Sequence, residues 1–290
     1  MLNNENGPSQ NATIELVAQT LVRAGSVFCP EKICAYKRAC AGETNEKALW
    51  VMNSILENAS VAEKNRSPLC DDTGIPHLFL EVGREKTVTG KLLADIREGV
   101  RLGLRRLPGR PMAVKGNEIQ RLDQSEGLSD DPGDVLPAPF IIKDTQENVV
   151  RLHILMQGGG PAIRGQTLRV FHKHDIRVVV DEIVSRSVKA VSELGCSPCT
   201  LAIGIGRSQL EATALMTEAQ VFGSYGRQSE LEQEITNRVN EGSGGPMGLG
   251  GKTAVLGTFL KVGPQRASGV RIVCMRPCCC FEPRHASVEL

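Results

Sequence analysis

A mixed α/β fold, α+β in its layout, is predicted by three observations. Apolar residues recur at helical spacing through the opening stretch of the chain. Short β-rich apolar runs then alternate with further helical stripes. Cysteines on Pro-, Gly- and Asp-rich stretches flank several of these runs, so a mixed sheet would gather its cysteine loops at strand edges. The chain reads as a single domain over residues 1–290, with a helical N-terminal part over 1–65.

The helical part is built from three segments. Residues 11–27 carry Ile14, Leu16, Val17, Leu21 and Val22 on one stripe. Pro30 suits a helix start, with Ile33, Cys34, Tyr36 and Cys40 following. Residues 44–60 place Trp50, Met52, Ile55 and Leu56 together. Cys29, Cys34 and Cys40 match no metal-ligand spacing and read as packing residues.

A polar segment then leads to Ser67-Pro68-Leu69-Cys70-Asp71-Asp72-Thr73-Gly74 and an apolar strand over 75–82. Cys70 therefore sits on a loop at a strand's edge, although Asp71 to Gly74 reads equally well as a plain turn. A helix over 90–107 ends in Arg105, Arg106 and Arg110, which either favour a helix C-terminus or bind a carboxylate. Residues 115–139 read as a long irregular connection.

A strand over 149–156 precedes Gly158-Gly159-Gly160-Pro161, where backbone can approach a neighbour closely. A helix over 175–194 stops at Gly195. Cys196-Ser197-Pro198-Cys199 leads into the buried strand 201–206, and helices follow over 209–221 and 229–240. The glycine-rich run 242–253 precedes two closing strands, 255–262 and 270–275. The run ends Gly251-Lys252-Thr253 like a phosphate loop, but the position that needs the first glycine is Pro246, which has no N–H to donate.

Composition excludes several classes of function. A formal net charge of +1 and 3% aromatics give no footprint for nucleic acid or an anionic membrane. No apolar run reaches the ~20 residues of a membrane span, and residues 1–10 lack the character of a signal peptide. The chain is expected in the cytoplasm, where thiols stay reduced. Ten cysteines there call for packing or metal rather than disulfides.

The densest soft-ligand chemistry is Arg276-Pro277-Cys278-Cys279-Cys280-Phe281-Glu282-Pro283-Arg284-His285. Cys196 and Cys199 follow a helix rather than start one, which argues against a redox C-x-x-C, and no second C-x-x-C completes a zinc ribbon. Three contiguous cysteines cannot easily face one ion. A better set takes one cysteine from each of three loops: Cys70, Cys196 or Cys199, and one of Cys278 to Cys280. An iron–sulfur cluster held by three cysteines keeps one iron open, and such an iron can polarise a substrate hydroxyl as a Lewis acid.

The residues in order then resemble a known family. Cys70-Asp-Asp-Thr-Gly, the triple glycine, Cys196-x-Pro, Gly245-Pro-Met-Gly-Leu-Gly-Gly-Lys-Thr and Cys280-Phe-x-x-Arg-His resemble the iron–sulfur hydro-lyases, namely class I fumarases and the α subunit of L(+)-tartrate dehydratase. The resemblance covers nearly the whole chain. It implies a [4Fe-4S] cluster held by Cys70, Cys196 and Cys280, with Gly158, Gly159 and Gly160 beside it. It also implies Asp72, Arg110 (followed by Pro111) and Lys252 in the active site, and a small dicarboxylic acid as substrate. Cys278 and Cys279 would then shape or shield the cluster.

Three departures stand out. The family's G-D-N-T-P-A is here Gly133-Asp134-Val135-Leu136-Pro137-Ala138; Pro161-Ala162 replaces a polar pair; Gln265-Arg266 stands where many fumarases have histidine. The resemblance thus implies the reaction class more firmly than fumarate itself. Single-chain fumarases add a C-terminal domain, whereas this sequence ends at Leu290. A separate β subunit is therefore expected, in an α2β2 arrangement. The competing expectation is a non-catalytic iron–sulfur or zinc protein on the same scaffold.

Overall fold

The computed structural model describes residues 10–110 and 112–290; the polar start (residues 1–9) and Pro111 lie outside them. The order is α1 (Gln10–Ser26), α2 (Pro30–Gly42), α3 (Glu46–Asn65), β1 (Ile75–Gly83), α4 (Gly90–Arg106) and α5 (Glu118–Asp123). Then come β2 (Ile141–Thr145), β3 (Val150–Gln157), the single turn α6 (Gly159–Ala162), β4 (Gln166–Phe171) and α7 (Ile176–Leu194). The chain closes with β5 (Cys199–Gly206), α8 (Gln209–Phe222), α9 (Glu230–Glu241), β6 (Val255–Val262), β7 (Val270–Cys278) and β8 (Arg284–Glu289). The fold is mixed α/β, with helices preceding the sheets, as the sequence predicts. Among the described residues no helix is long and apolar enough to cross a membrane.

The chain divides into two compact units. The first takes the described residues up to Val27, then Val61–Gly158 and Arg284–Leu290; the second takes Phe28–Ser60 and Gly159–Pro283. The first unit holds a sheet in the order β2-β1-β3-β8, with β1 parallel to β2 and antiparallel to β3, and β3 antiparallel to β8. Its core joins Val17 and Leu21 of α1, Ile96, Val100 and Leu104 of α4, and Leu78, Leu80, Leu152 and Ile154 of the sheet. The two helices approach closely because α4 presents Gly99 and Gly103 to α1. A Cβ at Gly99 would lie 2.6 Å from Val17 Cβ, and one at Gly103 2.9 Å from Leu21 Cβ.

The second unit holds a sheet in the order β4-β7-β5-β6, with β5 antiparallel to β7 and parallel to β6. The sequence of β5 alternates large and small residues, and successive side chains of a strand face opposite ways. Cys199, Leu201, Ile203 and Ile205 pack in the core with α7 and α9. Ala202 faces α8 with Ala212 and Met216. Gly204 brings α8 almost onto the strand, since a Cβ there would lie 2.1 Å from the Ala212 carbonyl oxygen.

Helix boundaries follow capping chemistry that pattern alone places less well. Ser229 caps α9 in a reciprocal capping box with Glu232, and Asp175 accepts from the Arg177 N–H at the start of α7. The third helix begins at Glu46, where Asn45 Oδ1 accepts from the Ala48 N–H at 3.0 Å, and it runs to Asn65, beyond the expected residue 60. The connection over 115–139 contains α5, capped by a box between Asn117 and Gln120, and a 3-10 turn at Pro132–Asp134. Strands β2, β4 and β8 were not anticipated. All three are edge strands. An edge strand has fewer buried faces, so its sequence carries a weaker apolar signature.

Filling the β5–α8 contact should therefore be costly. Gly204→Ala is expected to lower stability by about 3 kcal/mol, because the obstacle is helix backbone rather than a movable side chain. Gly42→Ala, where nothing lies within 4 Å, should change it by less than about 0.5 kcal/mol. Thermal and urea melts of the two variants measure the contrast, and equal melts would refute it.

Candidate metal centre and its cysteine loops

Three motifs of the second unit meet at one end of its sheet, and strand pairing is the cause. Thr200 near the start of β5 pairs with Cys278 at the end of antiparallel β7, and Cys199 pairs with Val255 at the start of parallel β6. The loop before β5 carries Cys196, the loop after β7 carries Cys279 and Cys280, and the loop before β6 is the glycine-rich run. Their backbones bond directly. The Cys280 N–H donates to the Cys196 carbonyl at 2.9 Å. The Met247 N–H donates to Ser197 Oγ at 2.8 Å, and Ser197 Oγ donates in turn to the Gly245 carbonyl at 3.2 Å.

Helix α2 supports the two cysteine loops from beneath. Tyr36 is buried, and its hydroxyl lies 2.8 Å from the Cys280 carbonyl and 3.3 Å from the Pro198 carbonyl. Its ring stacks on Phe28, which also meets Phe281. One turn earlier on α2, Lys32 is fully buried and donates to the Glu282 carbonyl at 2.5 Å. Arg276 and Glu282 form a buried ion pair at 2.7 Å across the same loop.

The thiols in this region respond to burial. Cys278 is pushed up to about 12 by burial, with the Arg276 guanidinium opposing the rise. Cys280 is held above its ordinary value by its hydrogen bond with Cys279 and by burial. Burial lowers Lys32, while the thiols of Cys279, Cys280, Cys29 and Cys278 pull it back up.

The glycine-rich loop is tied down by an acid that the sequence reading missed. Glu43 follows α2, where it accepts from the N–H groups of Thr44 at 2.8 Å, Asn45 at 2.9 Å and Lys252 at 2.7 Å. Gly251 has φ +97°, and a Cβ there would lie 2.7 Å from both Ala48 Cβ and Glu43 Oε2. The loop therefore needs glycine for its conformation and for its contact. Lys252 is exposed, and its ammonium donates to the Gly42 carbonyl at 2.8 Å.

In the first unit Cys70 is half-buried on the loop before β1. The Leu69 N–H donates to the Gly25 carbonyl at 2.9 Å, and the Thr73 N–H closes a turn on the Asp71 carbonyl at 2.9 Å. Buried Thr73 packs against Gly109, where a Cβ would lie 2.4 Å from its Oγ1. That contact seats Arg110 beside the cysteine loop, with its Nη1 3.9 Å from Asp71 Oδ2. Asp72 is half-buried in the same turn. Gly74, with φ +89°, presses on the Gln157 carbonyl, next to buried Gly158. Gly159 and Gly160 open α6 in the second unit, and nothing lies within 4 Å of a Cβ built at Gly160.

None of the ten cysteines is joined in a disulfide, and the fold divides them by place. Cys199 packs with Leu201 and Ile203 on one face of the second sheet; Cys274 and Cys278 pack with Met216 on the other. Cys196 is exposed and belongs to neither cluster, and Cys280 lies in the loop beyond β7. Among the described residues no group of three or more His, Cys, Asp or Glu side chains lies together so as to hold a metal ion. The available donors are soft thiols on backbone-tethered loops, and that donor chemistry fits a thiolate-held iron–sulfur group.

A helix-supported sheet with backbone-linked cysteine loops and a glycine-rich loop defines an α/β protein with clustered cysteine loops. Residues 14–289 match the family model described as fumarate hydratase (Fumerase), and the chain belongs to that family. A chain from Methanocaldococcus jannaschii, whose name proposes an L(+)-tartrate dehydratase subunit alpha, is 26% identical over 281 residues, covering 93% of this chain and 95% of its own length. The L(+)-tartrate dehydratase subunit alpha of Escherichia coli strain K12 is 21% identical over 275 residues, covering 92% and 88% respectively.

The Glu43 anchor gives the fold a pH dependence of definite sign. Burial opposes ionisation, but the three N–H donors outweigh it and hold the carboxyl below its usual range. A group depressed in this way stabilises above its unfolded pKa of about 4.3, and the contribution is lost as pH falls through the folded value. Glu43→Gln should therefore melt lower than the parent chain at pH 7, with the gap closing below roughly pH 4. A gap unchanged between neutral and acid pH would refute the assignment.

Proposed function

We propose that this chain is the cluster-bearing subunit of a hydro-lyase that adds or removes water on a small hydroxy dicarboxylic acid of the fumarate/malate or tartrate kind. The observation that carries the reading is the Cys280 N–H to Cys196 carbonyl bond, which joins two of the three cysteine loops through their backbones. Family membership over residues 14–289 supports the reaction class, and relatives named as tartrate dehydratase α subunits support a separate β subunit. An α2β2 assembly follows the same reading, as does a cytoplasmic setting in which ten cysteines outside any disulfide stay reduced.

In this reading Cys70, Cys196 and Cys280 hold a [4Fe-4S] cluster. When bound, the cluster supplies a Lewis acid for the substrate hydroxyl. Arg110, exposed beside the Cys70 loop, orients a substrate carboxylate through its planar pair of donors. Asp72, two residues from Cys70, orients the hydroxyl or a water. Gly158 to Gly160 leave room where a side chain would intrude. Lys252 supports the glycine-rich loop and adds positive charge for a dianionic substrate. The β subunit supplies the proton-transferring group.

One observation favours the second reading, a non-catalytic iron–sulfur or zinc protein. The polar groups of the altered Gly133-Asp134 segment are spent on its own structure. Arg105 holds Asp131 through a bidentate pair that includes a 2.6 Å bond and lowers its carboxyl to about 2; Asp131 accepts from the Gly133 N–H at 2.8 Å, and Asp134 accepts from Ser129 Oγ at 2.6 Å.

Anaerobic reconstitution with iron and sulfide separates the two readings. The chain should turn brown and absorb near roughly 400 nm, as thiolate-held iron–sulfur groups do. Cys70→Ser, Cys196→Ser and Cys280→Ser should each lose iron, while Cys199→Ser, a core substitution, should keep it. A colourless, zinc-loaded chain would sink the hydro-lyase reading. With the β subunit added, Arg110→Lys should raise KM about tenfold on the preferred acid, the loss of one charge-assisted hydrogen bond. An unchanged KM would remove Arg110 from the site.

A further inference from the structure

Lys32 stands out among the groups that the functional reading does not use. It is among the largest fully buried side chains of the chain. Its ammonium donates to the Glu282 carbonyl and lies 4.7 Å from the centroid of the Phe28 ring. Among the described residues no carboxylate pairs with it; Glu282, the acid nearest in sequence to its acceptor, is engaged by Arg276 through its side chain at 2.7 Å. A buried ammonium without a counter-anion is costly. Its acceptor lies on the cysteine loop itself, two residues beyond Cys280. A carbonyl and an aromatic face solvate a cation only in part. The thiolates of a metal-bound cysteine loop would supply the negative charge that the amine lacks.

We infer that Lys32 is a positioning residue and the resident counter-cation of the metal-bound Cys278–Cys280 loop, holding that loop through the Glu282 carbonyl and setting the electrostatic potential of the bound group. Tyr36, one turn along α2, shares the holding role but not the charge, because its hydroxyl meets the Cys280 and Pro198 carbonyls. The two residues thus separate geometry from electrostatics on a single helix face. A positive charge near a cluster favours the electron-rich form, so net charge and hydrogen bonding tune its reduction potential.

The inference rests on the proposed cluster, and the test keeps the two apart. The full-length chain is reconstituted anaerobically with iron and sulfide. Failure of the parent chain to take up iron refutes the cluster reading itself. Given an iron-loaded parent, Lys32→Met should keep its circular dichroism, shift the cluster potential to more negative values in an EPR-monitored titration, and release iron to a chelator about ten- to hundredfold faster. Tyr36→Phe should speed iron release with little shift in potential. If Lys32→Met does not fold, Lys32→Gln, which keeps a donor but loses the charge, carries the same expectation. A neutral Lys32 variant with the parent's potential overturns the inference, and so does a Tyr36→Phe shift as large as that of Lys32→Met.

Discussion

The alternation of large and small side chains along β5 is the constraint on which the second unit depends. Leu201, Ile203 and Ile205 need the α7–α9 layer, and Ala202 and Gly204 admit α8 on the opposite face. A strand covered on both faces in this way is fixed in register, because a one-residue slip would turn isoleucines into the α8 contact. Both neighbours inherit that register. The antiparallel partner β7 must end where β5 begins, and the parallel partner β6 must begin there too. The cysteines and the glycine-rich loop meet at one sheet end because core packing leaves them no other place.

Hydrogen bonds then convert proximity into geometry. Ser197 joins the Cys196 loop to the Gly245 turn, the Cys280 N–H joins the two cysteine loops, and Glu43 holds the far side of the glycine run. Each ties a main-chain group of one loop to a partner on another segment, so the loops hold one another. The arrangement also explains why the run is so rich in glycine. Gly245, Gly248, Gly250 and Gly251 all take positive φ, which side-chain-bearing residues adopt only at a cost.

Much of this was legible in the sequence where the signal was local. Periodicity located α1, α4 and α7, because each hides one stripe against a core. The apolar run that follows Cys199 announced β5. The edge strands β2, β4 and β8 were lost because their sequences mix charge with apolar residues, as in Ile-Ile-Lys-Asp-Thr. At the site the cysteine loops were visible as punctuation by Pro, Gly and Asp. Their supports were not. Tyr36 read as one more residue following a helix start, and no local pattern marked Lys32 or Glu43. Their partners lie 244, 250 and 209 positions away in the chain, and no window of local pattern spans such separations.

The electrostatics of the Cys278–Cys280 loop bear on what the site is for. Arg276 and Glu282 cancel each other at 2.7 Å, both nearly excluded from solvent. Lys32 adds a buried amine that no carboxylate among the described residues balances. A purely structural core would do better with a methionine at that place, since isosteric apolar replacements of buried charges are often neutral or stabilising. The cysteines nearby are buried with it, Cys278 in the core cluster beside α8 and Cys280 in the loop beyond β7. Amine and thiols become mutually favourable only when something soft and cationic displaces the thiol protons. On the proposed reading, a thiolate-bound metal group would balance the Lys32 amine, which packing alone leaves without a carboxylate.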